Sequence, residues 1–189
     1  MKRAALILAG GKSSRMGIDK AALPFGPQTL LQHIAGACRA VCDTVIVATG
    51  PAQTPRIPLP VGTAGLVDPG EGPLGAIAGG LASIDDQTHL FVTACDTPLL
   101  RPAVIDLLFE RSRGNRGAVA VVRGRPEPLC AVYAGLLREE VARLVELGER
   151  KAIAPAALPG IVEVWEDELR AVDPDLRSFR GCNTTGEYV

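Results

Sequence analysis

The densest group of residues that could do chemistry lies in one glycine-rich segment near the N-terminus. It reads Leu8-Ala-Gly-Gly-Lys-Ser-Ser-Arg-Met-Gly17 and is followed by Asp19-Lys20. The adjacent glycines let backbone N–H groups approach an anion, because no side chain stands in the way. Three cations, Lys12, Arg15 and Lys20, follow within ten residues of the first glycine. Together these features predict a site for a multiply charged phosphate.

Two well-known phosphate-binding motifs do not fit this segment. Gly11-Lys12-Ser13 looks like the end of a Walker A loop, but Leu6 stands where that loop needs its first glycine. The Rossmann pattern Gly-x-Gly-x-x-Gly also fails, because the glycines stand at 10, 11 and 17. The alternative is an ordinary strand-to-helix turn with surface cations. The whole string of residues favours the phosphate site over that alternative.

Two aspartates follow apolar runs elsewhere in the chain. Asp96 comes after the run at 90–94, where a carboxylate can hold Mg²⁺. Asp96-Thr97-Pro98 is also a good helix N-cap, and the residues alone leave both interpretations open. Asp68 follows a short run at 65–67 and would stand at the end of that strand. The alternative to a ligand role is a common Asp-Pro-Gly turn.

The elements that must position these residues alternate between strands and helices. Continuous apolar runs predict strands at 4–9, 44–48, 65–67, 90–94 and 118–122. Helical patterns lie between them, at about 30–38, 74–84 and 102–113. Strands that are apolar on both faces indicate a mostly parallel sheet between two helical layers. We therefore expect a three-layer, doubly wound α/β fold, whose ligands bind at the carboxyl ends of the strands.

The pattern changes after residue 122. A turn-rich stretch at 123–128 precedes an alternating strand at 129–134, predicted antiparallel at an edge of the sheet or covering it. An amphipathic helix at about 136–147 ends at Gly148, and a short helix near 151–158, a strand at 161–165 and an acidic loop at 166–175 follow. We expect one domain over 1–189, with the change of pattern near residue 122.

Composition narrows the classes of partner. The chain has 189 residues, a net charge of -1 and 47% hydrophobic residues, which disfavours polyanion binding and indicates a folded protein. Because it has only four Phe, two Tyr and one Trp, a base-stacking platform is disfavoured. No signal peptide or membrane span is predicted, so we expect a cytoplasmic protein that binds neither nucleic acid nor membrane.

The five cysteines form no Cys-x-x-Cys pair. An odd, scattered set disfavours a disulfide framework and a zinc site. Cys38 and Cys42 have helical spacing, so a metal pair is an alternative, but we favour buried thiols that pack as small apolar residues.

The glycine-rich segment also carries a family resemblance. Leu-Ala-Gly-Gly-x-Ser-x-Arg-Met-Gly-x-Asp-Lys resembles the signature of Rossmann-like nucleotidyltransferases that act on nucleoside triphosphates, and within them the molybdenum cofactor guanylyltransferases of the MobA type. Gly10-Gly11 favours that group, since the related cytidylyltransferase usually reads Leu-Ala-Ala-Gly. Further matches span the chain: Gly72-Pro-Leu-Gly75, Cys95-Asp-Thr-Pro98, Arg125-Pro-Glu-Pro-Leu129, Gly148-Glu-Arg150 and Asn183-Thr-Thr.

The resemblance implies a role for each matched position. Catalysis would use Lys20, Arg15 and Asp96, with Asp96 as the ligand of Mg²⁺. Nucleotide binding would use Leu8, Ala9, Gly10, Gly11, Lys20, Asp68 and Asp96. The candidates for binding the second substrate are Arg123, Arg125, Arg150, Lys151 and Asn183. Guanidinium groups match phosphate oxygens, and the family has an asparagine at the last position. The alternatives are ordinary surface cations and, for Asn183, an Asx turn or a helix N-cap. The resemblance thus implies a nucleotide-binding half of about 1–122 and an acceptor-binding half of about 123–189.

The activity implied is transfer of GMP from GTP to the terminal phosphate of molybdopterin or Mo-molybdopterin. Its partners would include proteins that insert molybdenum and mature molybdoenzymes. Alternatives are a related transferase that uses CTP or another acceptor, and a non-catalytic nucleotide- or pterin-binding protein. Two departures bear on them: Ala48-Thr49-Gly50 replaces a family asparagine, and Thr185-Gly186 follows Asn183 where Pro-Glu is usual.

Overall fold

A seven-stranded sheet forms the centre of the molecule. The computed structural model describes residues 1–10, 20–50 and 58–181. The strands in these ranges are β1 (Lys2–Leu8), β2 (Pro24–Phe25), β3 (Gln28–Thr29), β4 (Thr44–Thr49), β5 (Ala64–Val67), β6 (Thr88–Ala94), β7 (Gly117–Val122), β8 (Arg125–Ala134) and β9 (Ile161–Val164). The sheet has the order β5-β4-β1-β6-β8-β7-β9, while β2 and β3 form a separate small hairpin.

Six helices cover the two faces of the sheet in the described ranges. They are α1 (Leu30–Arg39), α2 (Gly72–Ala82), α3 (Pro102–Ser112), α4 (Arg138–Glu146), α5 (Ile153–Ala156) and α6 (Glu166–Val172). Helices α1, α3 and α6 pack on one face, and α2, α4 and α5 pack on the other. This arrangement confirms the three-layer α/β prediction. None of these helices is long and apolar enough to cross a membrane.

The core on both faces is built largely from aliphatic side chains, as the shortage of aromatic residues requires. Phe91, Phe109 and Tyr133 are its largest fully buried side chains. Cys38, Cys42, Cys95 and Cys130 are buried, and no disulfide joins any of them within the described ranges. Burial raises the pKa of Cys42 to about 12. No cluster of three metal-binding side chains occurs within the described ranges.

Helix α1 follows directly from its sequence. Its buried residues, Leu30, Leu31, Ile34, Ala35 and Cys38, recur at the spacing of one helical face. Thr29 accepts a hydrogen bond from the backbone N of Gln32, while the Gln32 side chain accepts one from the backbone N of Thr29. This capping box fixes the point where the chain enters the helix after the glycine-rich segment.

The predicted position of the antiparallel strand is wrong. Strand β8 lies inside the sheet, between β6 and β7, and is antiparallel to both. It neither forms an edge nor covers a face, and it begins at Arg125 rather than 129. Residues 130–134 are all buried, because helices cover both faces there. The prediction began the strand too late because prolines and charged residues at 125–128 are typical of turns.

The predicted acidic loop at 166–175 is also wrong in its first part. Residues Glu166–Val172 form α6, and Glu166, Asp167 and Glu168 occupy its first turn. Carboxylates stabilise a helix N-terminus through its dipole, so the acidic run was a signal for a helix start. The short helix predicted near 151–158 is confirmed as α5.

Candidate functional site

Backbone hydrogen bonds join the carboxyl ends of four neighbouring strands, β5, β4, β1 and β6. These ends form one edge of the sheet, called here the carboxyl edge. Three backbone hydrogen bonds join them beyond the regular ladder: Cys95 N donates to Leu8 O at 3.1 Å, Ala9 N to Ala48 O at 2.8 Å, and Asp68 N to Thr49 O at 2.8 Å. Asp96, Gly10, Gly50 and Asp68 therefore stand in a row at this edge. This row is where ligands bind in doubly wound sheets.

The two aspartates stand at opposite ends of that row. Asp96 follows β6 and Asp68 follows β5, and β1 and β4 lie between those strands. With neighbouring strands about 4.8 Å apart, three steps separate the two positions by about 14 Å. One metal ion cannot bind both carboxylates at this separation. The geometry suits an extended ligand that meets Asp68 at one end and Asp96 at the other.

Asp96 lies in a turn that its neighbours hold in place. The Thr97 hydroxyl donates to the carbonyl of Ala94 at 3.1 Å and lies 3.3 Å from the Thr93 hydroxyl. The N-cap of α3 is Arg101, so the alternative reading of Asp96 as the N-cap of that helix is wrong. The half-buried Asp96 carboxylate has no hydrogen-bond partner within the described ranges. A carboxylate oxygen of this kind suits a hard divalent cation.

Asp68 forms the predicted turn with one of its two carboxylate oxygens. Its Oδ1 accepts a hydrogen bond from Gly70 N at 2.9 Å, and Gly70 has a φ of +85°. The Asp-Pro-Gly turn is therefore present. Because the turn uses only Oδ1, the Oδ2 atom remains for a ligand at the edge of the sheet.

The structure describes the two ends of the glycine-rich segment. Leu8 and Ala9 are buried, and Gly10 is half-buried at the carboxyl edge. Lys20 is half-buried and opens a 3₁₀ turn, Lys20–Ala22, that leads towards α1. Gly11, Lys12 and Arg15 lie outside the described residues, so their predicted contacts with phosphate remain predictions.

The glycine loop before α2 packs against a second loop. Leu74 N donates to Arg150 O at 3.3 Å. A Cβ atom on Gly72 would lie 2.9 Å from the same oxygen, and Gly72 has a φ of +77°. Glycine is thus required there both for its conformation and for the close approach. Two of the matched segments, 72–75 and 148–150, meet at this point.

The described cations predicted to bind the acceptor form two separate pairs. Arg123 and Arg125 lie at the tip of the β7–β8 hairpin, where Arg123 N donates to Glu166 Oε1 at 2.6 Å. Arg150 donates through Nη1 to the carbonyls of Val145 and Glu149, at 2.7 and 2.8 Å.

Lys151 is exposed and follows Arg150 directly. Backbone N–H groups of both residues donate to Glu149, which lowers the pKa of Glu149. No hydrogen bond or ion pair joins the two pairs where the structure describes them. Asn183, the fifth candidate, lies outside the described residues.

A cavity of about 220 Å³ opens beside Asp96 on the face covered by α1, α3 and α6. Its lining includes Asp96, Thr97, Glu127, Cys130 and Phe179. Glu127 was not among the predicted site residues. The available signal was its place in the matched segment Arg125-Pro-Glu-Pro-Leu129, two residues after Arg125.

A buried aspartate, Asp173, holds in place the segment at 178–181, which forms one wall of this cavity. Asp173 accepts a hydrogen bond from Ser178 N at 2.8 Å, and Arg101 N donates to the Ser178 hydroxyl at 3.0 Å. Burial acts to raise the pKa of Asp173, but hydrogen bonds from Ser178 and Arg177 outweigh it and the pKa lies below its ordinary value. These bonds join the segment at 178–181 to the loop that carries Asp96.

The sequence matches the family model described as MobA-like NTP transferase domain over residues 5–160. A Methanosarcina mazei protein named probable molybdenum cofactor guanylyltransferase is 33% identical over 196 residues, covering 96% of this chain and 86% of that protein. A Mycobacterium tuberculosis protein with the same name is 38% identical over 187 residues, covering 96% of this chain and 89% of that protein.

Solved structures share the fold. Molybdopterin-guanine dinucleotide biosynthesis protein A from Archaeoglobus fulgidus superposes with a TM-score of 0.78 at 22% identity, over 98% of this chain and 94% of that one. A Thermus thermophilus 2-C-methyl-D-erythritol 4-phosphate cytidylyltransferase gives 0.73 at 19% identity, over 100% and 96%. A Mycobacterium tuberculosis protein solved with manganese gives 0.67 at 18% identity, over 93% and 100%.

Proposed function

Because the chain belongs to the family of MobA-like NTP transferases, we propose that it transfers GMP from GTP to the terminal phosphate of molybdopterin or Mo-molybdopterin. One observation carries the proposal within the site. Asp96, without a hydrogen-bond partner in the described ranges, stands beside the residues that open the glycine-rich segment, at the edge where nucleotides bind in this architecture. Two relatives that match over 96% of this chain are named probable molybdenum cofactor guanylyltransferase, which supports the proposal.

The reaction needs positioning more than acid–base chemistry. An oxygen of the acceptor phosphate forms a bond to the α-phosphorus of GTP, and the bond from that phosphorus to the α,β-bridging oxygen breaks. The electron pair of that bond leaves with pyrophosphate. Because the phosphate nucleophile is already ionised at neutral pH, the site needs no strong base.

We propose a separate role for each of the predicted site residues along the row of strand ends. We assign Asp96 to hold Mg²⁺, which would neutralise charge on the phosphate oxygens when it is bound. Lys20 and Arg15 would stabilise charge that develops on the phosphates. The backbone at Leu8, Ala9, Gly10 and Gly11 would contact guanine, and Asp68 would accept hydrogen bonds from the nucleoside about 14 Å from Asp96.

The acceptor would enter from the other side of Asp96. Arg125 is the best placed of the candidates that the structure describes. Its strand partner, Val122, packs on the face where the cavity opens, as does Ala120 opposite Glu127. The Arg150 side chain is already engaged with two carbonyls at the end of α4. The remaining candidates, Arg123, Lys151 and Asn183, would complete the binding of the acceptor. This assignment keeps the nucleotide-binding half at about 1–122 and the acceptor-binding half at about 123–189.

The natural test compares two nucleotides. Purified protein is incubated with molybdopterin, MgCl₂ and either GTP or CTP, and released pyrophosphate is measured. We expect release with GTP at a kcat/KM at least tenfold above that with CTP. Faster release with CTP would favour a cytidylyltransferase, the activity named for the Thermus thermophilus protein of the same fold. Binding of GTP without release would favour a non-catalytic protein.

The proposed reaction also implies where in the cell the protein acts and which proteins it meets. A reaction that consumes GTP would take place in the cytoplasm, and its product would pass to proteins that insert molybdenum or mature molybdoenzymes. Co-purification of the tagged protein with such partners, and its absence from washed membranes, would test this setting.

A further inference from the structure

Glu127 occupies an irregular stretch of β8 that reaches beyond the end of β6. Val119 pairs with Ala131, but the next residue, Ala120, pairs with Glu127. Three residues of β8, 128–130, therefore bulge out opposite a single step of β7. Cys130 pairs with Thr93, one residue before β6 ends. The bulge thus carries Glu127 past the carboxyl end of β6, towards the turn that holds Asp96.

Cross-strand pairing also shows which face the Glu127 side chain is on. Directly opposed residues of an antiparallel pair project to the same face of the sheet. The partner of Glu127 is Ala120, which packs in the core beneath α1, α3 and α6. This is the face on which the cavity opens, and both Glu127 and Asp96 line that cavity.

The Glu127 carboxylate has nothing to offset its partial burial. It makes no side-chain hydrogen bond or ion pair with any residue in the described ranges. Burial raises the pKa of Glu127, whereas hydrogen-bond partners lower those of Asp85, Glu149, Glu166 and Asp173. A partly desolvated carboxylate in a cavity is unfavourable unless water or a ligand supplies hydrogen-bond donors, so a ligand with two donors would be favoured there.

The position of the cavity restricts that ligand to the acceptor side of the site. Asp68 and the proposed guanine contacts lie towards β5, and the cavity lies on the opposite side of Asp96, beside β8. Its volume of about 220 Å³ is below the roughly 300–1,000 Å³ of pockets for drug-sized ligands. It suits one bicyclic ring rather than a whole nucleotide.

A carboxylate cannot favour the phosphate end of the acceptor, because like charges repel. It does match the pyrimidine edge of a pterin, where a ring N–H and an exocyclic amino group stand side by side as donors. Two carboxylate oxygens can accept from both at once, as they do from a guanidinium group. We propose that Glu127 is a specificity residue of the acceptor site and accepts these two hydrogen bonds from the pterin ring. The proposal rests on the pterin acceptor of the proposed function.

The first test measures binding without turnover. Titration of the protein with pterin and with lumazine, which has a carbonyl in place of the 2-amino group, is followed by ligand fluorescence. We expect the wild-type protein to bind pterin roughly 10- to 100-fold more tightly than lumazine, since one charge-assisted donor is lost. Glu127→Gln should lose most of that preference. Equal binding of the two compounds by the wild-type protein, or an unchanged preference in the variant, would overturn the proposal.

The second test separates the substrates kinetically. Glu127→Gln should raise the KM for molybdopterin roughly 10-fold or more and leave kcat and the KM for GTP near wild-type values. Glu163→Gln is the matched control, because Glu163 is exposed on β9 away from the cavity. An increase confined to the KM for GTP would assign Glu127 to guanine instead. Weaker Mn²⁺ binding by the variant would make it a metal ligand, and either result contradicts the proposal.

Failure of the proposed function would look different. A wild-type protein that releases no pyrophosphate from GTP with molybdopterin lacks the proposed activity, and the preference for pterin over lumazine then still decides the role of Glu127. Both variants should unfold at the same temperature as the wild-type protein. Equal midpoints would show that a change in ligand preference or in KM does not come from loss of the fold.

Discussion

Asp96 and Asp68 are carboxylates at one edge of the sheet with different surroundings. Asp96 has no hydrogen-bond partner in the described part of the chain, and Asp68 uses one oxygen to accept from Gly70 N at 2.9 Å. The ends of their strands are roughly 14 Å apart, too far for one metal ion to bind both carboxylates. We infer that Asp96 acts on the reacting phosphates and Asp68 on the nucleoside.

Replacing each carboxylate by its amide separates these roles. Asp96→Asn should lower kcat about 10³-fold, because charge stabilisation at the phosphates is lost, and should leave the unfolding midpoint unchanged. Asp68→Asn is the matched control: it keeps the oxygen that accepts from Gly70 and should raise the KM for GTP about tenfold with little change in kcat. Steady-state pyrophosphate release at varied GTP measures both. Wild-type kcat in Asp96→Asn would contradict the metal assignment.

At this scale the sequence predicted the position of Asp96, at the carboxyl end of β6, better than the arrangement of the candidate cations. Spacing after an apolar run placed Asp96 correctly, because strand ends can be read from hydrophobicity. It could not separate Arg150 from Arg125, since only the folded chain shows that Arg150 is engaged with the end of α4. Glu127 was missed because its position depends on a bulge that no periodicity reveals.

The segment after β9 is the element that completes the cavity. Helix α6 leads to Asp173, which accepts from Ser178 N and lies 3.6 Å from the guanidinium of Arg101. Ser178, Phe179 and Gly181 line the cavity. This small cluster therefore couples the end of the described chain to the loop that carries Asp96.

Removing the buried carboxylate should loosen that wall. Asp173→Ala is expected to lower the free energy of unfolding by about 1–3 kcal/mol, because the N–H of Ser178 loses its acceptor. It should also raise the KM for molybdopterin more than that for GTP. Urea unfolding and steady-state kinetics measure the two effects. Asp175→Ala, at an exposed position two residues away, is the control and should match the wild type. An unchanged free energy in Asp173→Ala would contradict the structural role.

Asp85, just before β6, should make the stability of the fold depend on pH in the acid range. Asp85 accepts hydrogen bonds from Thr88 and Lys2, at 2.5 and 2.9 Å, and these lower its pKa from 3.8 to about 2. A lowered pKa in the folded state gives stability that is present above about pH 4 and disappears as pH falls through about 2.

The expected result is a pH-dependent difference in the unfolding midpoint. Asp85→Asn should unfold at a lower temperature than the wild type at pH 5–7, and the difference should shrink to zero by about pH 2. Thermal scans at several pH values, with Asp175→Asn as the control, measure it. A difference that persists at pH 2 would point to packing rather than to charge.

Element types were largely predictable because hydrophobic period and length distinguish buried strands from helices. The place of β8 was not, since an alternating strand reads the same at an edge and in the interior. Its insertion between β6 and β7 depends on long-range pairing. The acidic start of α6 shows a signal that was present and misread, because carboxylates are as common in loops as at helix N-termini.

The two proposed halves share one sheet. Strand β8 pairs with β6 on one side and with β7 on the other, so the boundary near residue 122 crosses a continuous set of hydrogen bonds. Core residues from both sides of the boundary pack together on each face. The halves are therefore functional divisions rather than separate folding units.

This continuity predicts a single cooperative unfolding transition. The only tryptophan, Trp165, reports on the acceptor half, and far-UV circular dichroism reports on the whole sheet. The two signals should change at the same urea concentration, and in Asp173→Ala both should shift together. A fluorescence transition well before the loss of secondary structure would indicate that the halves unfold separately.

The most direct measurement follows the labelled phosphorus of GTP. The protein is incubated with molybdopterin, MgCl₂ and GTP labelled with ³²P at either the α or the γ position, and the pterin product and pyrophosphate are separated. Nucleotidyl transfer predicts that the α label appears in the pterin product and the γ label in pyrophosphate. Label from the γ position in the pterin product, or no labelled product from either GTP, would contradict it.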